Sequence, residues 1–235
     1  MAPSGDGETQ KRKRGRPPKS ATAAMATSHE ILMPRRRPMQ IRSRMRYERI
    51  LASARAALVE LGFETFTFDA VAQRADVPIG TIYQFFANKY VLICELDRQD
   101  TADIVSELEK FSSRVPALQW PDFLDEFIDH VASLWRKDPS RRAVWHAVQS
   151  TPQTRFTAAD TEKAVLDIIA GAMVPLAPTA PPEQRRQLAG ILLHTVTSML
   201  NYAVRDPEIN EVVFAATVEE IKRMLVAYLF AVATG

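Results

Sequence analysis

The sequence predicts an all-helical protein of about nine helices, built as an N-terminal three-helix unit with a helix-turn-helix and a longer C-terminal helical body. Three observations carry this. Apolar residues recur at spacings of three and four from Tyr47 to Leu229. No segment sustains the period-two alternation and hairpin turns of a sheet. From Pro78 onward, Pro falls at the joints between periodic stretches rather than inside them.

The first stripe is Tyr47, Ile50, Leu51, Ala54, Ala57, Leu58 and Leu61, and Gly62 follows where a left-handed C-terminal cap belongs. Thr67 is a good N-cap for Phe68–Ala75, and Asp69 in its first turn suits the helix dipole. Asp76-Val77-Pro78 breaks the chain, and Pro78 starts the next helix near Ile79. Asn88 caps a fourth helix running towards Phe111. Phe123 to Trp135 forms a strongly amphipathic fifth helix, Arg141 to Gln149 a short sixth, and Thr151-Pro152 a break before Thr161 to Val174. The Pro-rich loop 175–182 precedes two long helices, parted by Asp206-Pro207, with stripes at Leu188–Ala203 and Val218–Leu229.

The 235 residues are enough for a sizeable core, and 46% apolar with 25% charged is ordinary for a globular chain. Net charge is only +2, but it is unevenly spread: residues 1–49 hold 13 Lys+Arg against 4 Asp+Glu, and the rest hold 17 against 24. A basic start on an acidic body is the asymmetry expected where one end meets a polyanion. A single cysteine, Cys94, excludes an intrachain disulfide or a cysteine-based zinc set and suits a reducing, cytoplasmic setting. No apolar run reaches the roughly 20 residues of a membrane span, and no signal-peptide core is evident. Residues 1–40 are poor in large apolar side chains, so we expect a disordered basic tail with clusters at Lys11–Lys19 and Arg35–Arg37.

Gly80-Thr81-Ile82-Tyr83-Gln84-Phe85-Phe86-Ala87-Asn88-Lys89 is the most informative stretch. Ile82, Phe85 and Phe86 make an apolar side, leaving Gly80, Thr81, Tyr83, Gln84 and Lys89 for another surface. Gln can pair with adenine, Thr can meet thymine, and Gly permits close backbone approach, which is what a recognition helix in a major groove needs. The block Arg46–Leu96 resembles the TetR family of bacterial transcriptional regulators through Ile50-Leu51-x-x-Ala54, Leu61-Gly62-Phe63, Thr67, Val71-Ala72, Ala75-x-Val77 and Gly80-Thr81-Ile82-Tyr83-x-x-Phe86-x-Asn88-Lys89-x-x-Leu92. That resemblance implies a DNA-binding domain at 41–90 and an effector-binding, dimerising domain at 91–235. It places Pro78, Ile79, Gly80, Thr81 and Gln84 at base edges, and Thr67, Tyr83 and Lys89 at phosphates. Arg42, Arg44 and Arg46 fall where family arms touch the flanking backbone or minor groove. Phe66 and Phe85 depart from the family, standing where many members carry Thr and His.

Arg14-Gly15-Arg16-Pro17 resembles an AT-hook, whose arginines lie in a narrow A·T minor groove. The resemblance further implies a homodimer on palindromic double-stranded DNA, in the bacterial cytoplasm at the nucleoid, released by a small-molecule effector. Candidate effector contacts are Phe123, Phe127, Trp135, Trp145, His146, Phe156, Met173, Met199 and Tyr202, because aromatic and Met side chains shape such pockets. His130, His146 and His194 lack metal-ligand spacing, and no catalytic motif stands out, so no metal, cofactor or enzymatic activity is expected. A ligand-responsive repressor is the leading expectation. An activator of the same family, or an architectural A·T-rich DNA-binding protein, is the alternative.

Overall fold

Ten α-helices and no strand make up the described residues (30–114, 120–175, 177–205 and 210–234) of this computed structural model. In order they are α1 (Ile41–Thr65), α2 (Phe68–Ala75), α3 (Ile79–Phe85), α4 (Lys89–Arg114), α5 (Trp120–Lys137), α6 (Pro139–Gln149), α7 (Pro152–Thr161), α8 (Lys163–Ala172), α9 (Pro182–Ala203) and α10 (Glu211–Thr234). No described helix is long and apolar enough to cross a membrane.

Helix α7 is the addition to the nine expected. Thr151-Pro152, read as a break, is instead a start signal: the Thr151 hydroxyl accepts from the Thr154 amide at 3.2 Å, and Pro152 fills the first helical position, where its missing N–H costs nothing. Asp138-Pro139 opens α6 in the same way. Asn88 caps α4, accepting from the Val91 amide at 3.0 Å, and Asn210 caps α10, accepting from the Val213 amide at 2.9 Å. Gly62 takes φ 70 and ψ 171, a positive-φ conformation but not the left-handed helical one, and a last turn to Thr65 follows the kink. The expected stripe of α1 is buried as far as Leu58, whereas Leu61 is exposed.

One core joins the head to the body. Ile50, Leu51, Ala54 and Leu58 of α1 are buried with Val71 and Ala75 of α2, Ile82, Phe85 and Phe86, and the first turns of α4. Val144, Ala147 and Val148 of α6 and Ala158 of α7 belong to the same cluster. Each large apolar side chain removed from water contributes about 1.5–3 kcal/mol, so head and body share their stability. A second core packs α5 against α9 and α10 around Ile128, Trp135, Leu200 and Ile221.

Residues 30–40 correct the expectation of a disordered tail through residue 40. They run as an extended arm fixed to both parts of the molecule. The Leu32 amide donates to Thr157 Oγ1 at 3.1 Å on α7, and its carbonyl accepts from Arg98 on α4. Further along, the Arg35 amide donates to the Phe85 carbonyl at 2.8 Å, and Arg37 pairs with Glu95 at 3.1 Å. Glu95 is buried and also accepts from the Tyr47 hydroxyl at 2.8 Å and from Arg98 at 2.7 Å, so one carboxylate gathers the arm, α1 and α4.

Candidate nucleic-acid interface

Helices α2 and α3 meet at the Asp76-Val77-Pro78 turn. Asp76 closes α2 in the left-handed region, φ 49 and ψ 54, which Asp tolerates better than most residues. Pro78 then begins α3, and the Thr81 amide donates to its carbonyl at 2.8 Å. This helix has two faces. Ile82 and Phe85 are buried, with Phe86 just beyond, and Tyr47 stacks on Phe86 and meets Phe85 edge-on, both with centroids 5.2 Å apart. Pro78, Ile79, Gly80, Tyr83 and Gln84 are exposed, and Thr81 is half-buried.

The Tyr83 ring is held edge-on to Phe68 at 5.1 Å while 44% of the residue stays accessible. Thr67 is exposed and caps α2, its hydroxyl accepting from the Ala70 amide at 3.3 Å. Phe66 and Phe85 are core residues, 1% and 2% exposed, so neither presents a group to a ligand. Arg42, Arg44 and Arg46 stand exposed on the first turns of α1. Arg14 and Arg16 lie outside the described residues.

Lys89, expected at a phosphate, is half-buried at the start of α4. Its ammonium donates to the carbonyls of Phe63 at 3.2 Å and Phe66 at 3.4 Å, and lies 4.4 Å from the centre of the Phe63 ring. Those carbonyls end α1 and lead into α2, so the cation satisfies backbone acceptors within the head. The arm adds groups that sequence reasoning missed at this face. Arg35 Nη1 donates to the Tyr83 carbonyl at 2.8 Å, and Arg36 Nη2 donates to Gln84 Oε1 at 3.0 Å. The available signal was the apolar patch Ile31-Leu32-Met33 beside the basic cluster, since Leu32 packs on the head's core.

In the body, an apolar cavity of about 140 Å³ lies between α4, α5, α8, α9 and α10. Of the nine expected effector contacts, Phe127, Trp135 and Met173 line it. Apart from Thr197 the rest of its wall is aliphatic, with Leu124, Ile169, Leu192 and Val196 among the contributors. Trp145 lies instead on an adjoining polar chamber of about 70 Å³. His146 is exposed on α6 with its ring edge-on to Trp145, and Phe156 is 44% exposed on α7. Met199 and Tyr202 line a shallow outer groove between α9 and α10, away from the cavity. The side chain of Phe123 lies outside the described residues. The described residues hold no group of three or more His, Cys, Asp or Glu side chains arranged for a metal.

Known proteins share these features. Residues 50–96 match the family described as "Bacterial regulatory proteins, tetR family", and residues 118–233 match "Tetracyclin repressor-like, C-terminal domain". The uncharacterized HTH-type transcriptional regulator YdeS of Bacillus subtilis (strain 168) is 30% identical over 95 residues, 40% of this chain and 43% of that protein, so the match spans less than half of its length. Among solved structures, the transcriptional regulator FadR from Bacillus subtilis in complex with stearoyl-CoA aligns with a TM-score of 0.64 at 21% identity, covering 77% of this chain and 97% of that one. A TetR-family regulator from Streptomyces coelicolor aligns at 0.60 and 24% identity, covering 80% and 99%. At these identities the structural likeness is one of fold.

Proposed function

The chain belongs to the TetR family of DNA-binding transcriptional regulators, and from that premise we propose that it is a repressor that binds an inverted-repeat operator as a homodimer and leaves it when a small molecule enters the body. The observation that carries this reading is the placement of α4. Its N-terminus follows α3 after three residues, and further along Ile104 and Leu108 form part of the cavity wall. A ligand that favours one position of α4 therefore biases the position of α3, and by linkage DNA weakens the ligand by the same factor.

On DNA, Pro78, Ile79, Gly80, Thr81 and Gln84 would face base edges in the major groove, with Thr67 and Tyr83 at the backbone. Arg42, Arg44 and Arg46 would meet flanking phosphates, and Arg14 and Arg16 the minor groove. Lys89, which also ties α4 to the end of α1, would meet a phosphate. Exposed Tyr202, Val212 and Val213 supply an apolar face on α9 and α10 for a second copy. The stearoyl-CoA of the Bacillus subtilis FadR structure suggests that an aliphatic chamber of this kind takes an apolar chain.

Selection of bound sequences from random double-stranded DNA tests the proposal. The expected product is one inverted repeat occupied by two chains per site. Enrichment of A·T tracts with no twofold symmetry would overturn it in favour of an architectural role.

A further inference from the structure

The apolar cavity adjoins the smaller chamber, the two sharing walls at Ile104, Trp135, Val165, Leu193 and Thr197. The smaller chamber differs in chemistry. Three carboxylates reach it, Asp97 and Asp100 from α4 and Glu162 from the α7–α8 joint, together with Arg141 and His194. His194, on this wall, is exposed.

The charges there are not balanced. Arg55 pairs with Asp100 at 2.7 Å, and Arg141 pairs with Asp103 at 2.9 Å and Asp138 at 3.5 Å. Arg98 is taken by Glu95 at 2.7 Å, and His194 Nε2 lies 3.4 Å from Glu162. Asp97 is left over. Among the described residues it has neither a hydrogen bond nor an ion pair, it is half-buried, and it lines the chamber. Burial, then the neighbouring Glu162 and Asp100, push this carboxyl up to about 7. A half-buried acid with no partner in the protein is free to accept a charge-assisted hydrogen bond from a ligand that enters the chamber.

We infer that the effector is a cationic amphiphile, with a protonated amine beside Asp97 and an alkyl or aryl body in the aliphatic chamber. This rests on the effector site proposed above and names the chemistry it selects. A chain alone would gain apolar burial. The amine adds a charge-assisted hydrogen bond to an acid that has no other partner, and that adds selectivity. An anionic head is disfavoured by three carboxylates whose neighbouring cations are already engaged.

Calorimetric titration of the full-length, DNA-free protein with decylamine, decanoate and decanamide tests the inference. Decylamine is expected to bind at least about tenfold more tightly than either of the others. Asp97→Asn is expected to remove that advantage while leaving decanamide affinity unchanged, which also shows that the variant is folded. Decanoate binding as tightly as decylamine, unaltered amine affinity in Asp97→Asn, or no binding of any probe would each overturn it. The wild-type ranking decides the matter if the variant does not fold. Operator release is read separately: amine binding with the expected ranking but no loss of bound operator upholds the cationic site and sinks the release mechanism.

Discussion

Gly62 and Gly80 separate what the fold requires from what a ligand requires. Gly62 sits at φ 70, where an L side chain is strained whatever the space around it. Gly80 lies in helical backbone, and a Cβ built there would meet nothing within 4 Å. The protein itself therefore does not need glycine at position 80; the reason is sought outside it, on the face proposed for base edges. Gly62→Ala should lower stability by about 1–3 kcal/mol. Gly80→Ala should leave stability unchanged or raise it by up to about 1 kcal/mol, yet weaken operator binding about tenfold, the scale of one mismatched base pair. Thermal melts beside gel-shift titrations check both. A Gly80→Ala protein with full affinity would show that the backbone there does not approach DNA closely.

At the scale of elements, the arm supports the recognition helix. Helix α3 has seven residues, too few to hold itself. Its last carbonyls, Tyr83 and Phe85, accept from the Arg35 side chain and amide, and Arg35 brings a cation to the negative end of the helix. Two truncations should therefore differ. Removing residues 1–29 takes away the Lys11–Lys19 cluster, and the salt dependence of DNA binding should flatten by about one unit of log–log slope for each phosphate no longer neutralised, with melting unchanged. Removing residues 1–39 should also cost about 2–4 kcal/mol, because without Arg35 and Arg37 the carbonyls of α3 and the buried Glu95 are short of partners. Melting curves that coincide would show that the arm is dispensable to the head. The helices were legible in sequence because a buried stripe imposes a period of three to four. The arm was not, because it has no period: its arginines suggest a polyanion, and only Leu32 marks the burial. Helix α7 was missed because Thr-Pro marks a helix start as readily as a break. Asp97 had a signal, since it falls four residues from Ile93 and three from Cys94, at the edge of the buried stripe of α4.

The whole molecule explains why the cavity was read only in part. Its walls are the inner faces of five helices, and Leu192 or Val196 has the same sequence pattern whether it packs or lines a space. Aromatic and Met residues were the visible candidates, and two of them, Met199 and Tyr202, stand on the outer face of α9 and α10 instead. That face bears on the last prediction. Val212 is 78% and Tyr202 60% exposed, apolar surface that a soluble chain covers with a partner more readily than it displays to water. If the partner is a second copy, each head binds one half-site, and the second half-site is engaged at the high effective concentration set by the first. Val212→Asp with Tyr202→Asp would place two charges from each chain against their counterparts across a twofold axis. The double variant should sediment as a monomer and melt with an intact head. Its affinity for a full operator should fall by at least about a hundredfold, while its weak affinity for a half-site stays as in the wild type. A variant that remains dimeric would move the interface off this face. A monomer that still holds the full operator at wild-type affinity would remove the need for a twofold site altogether.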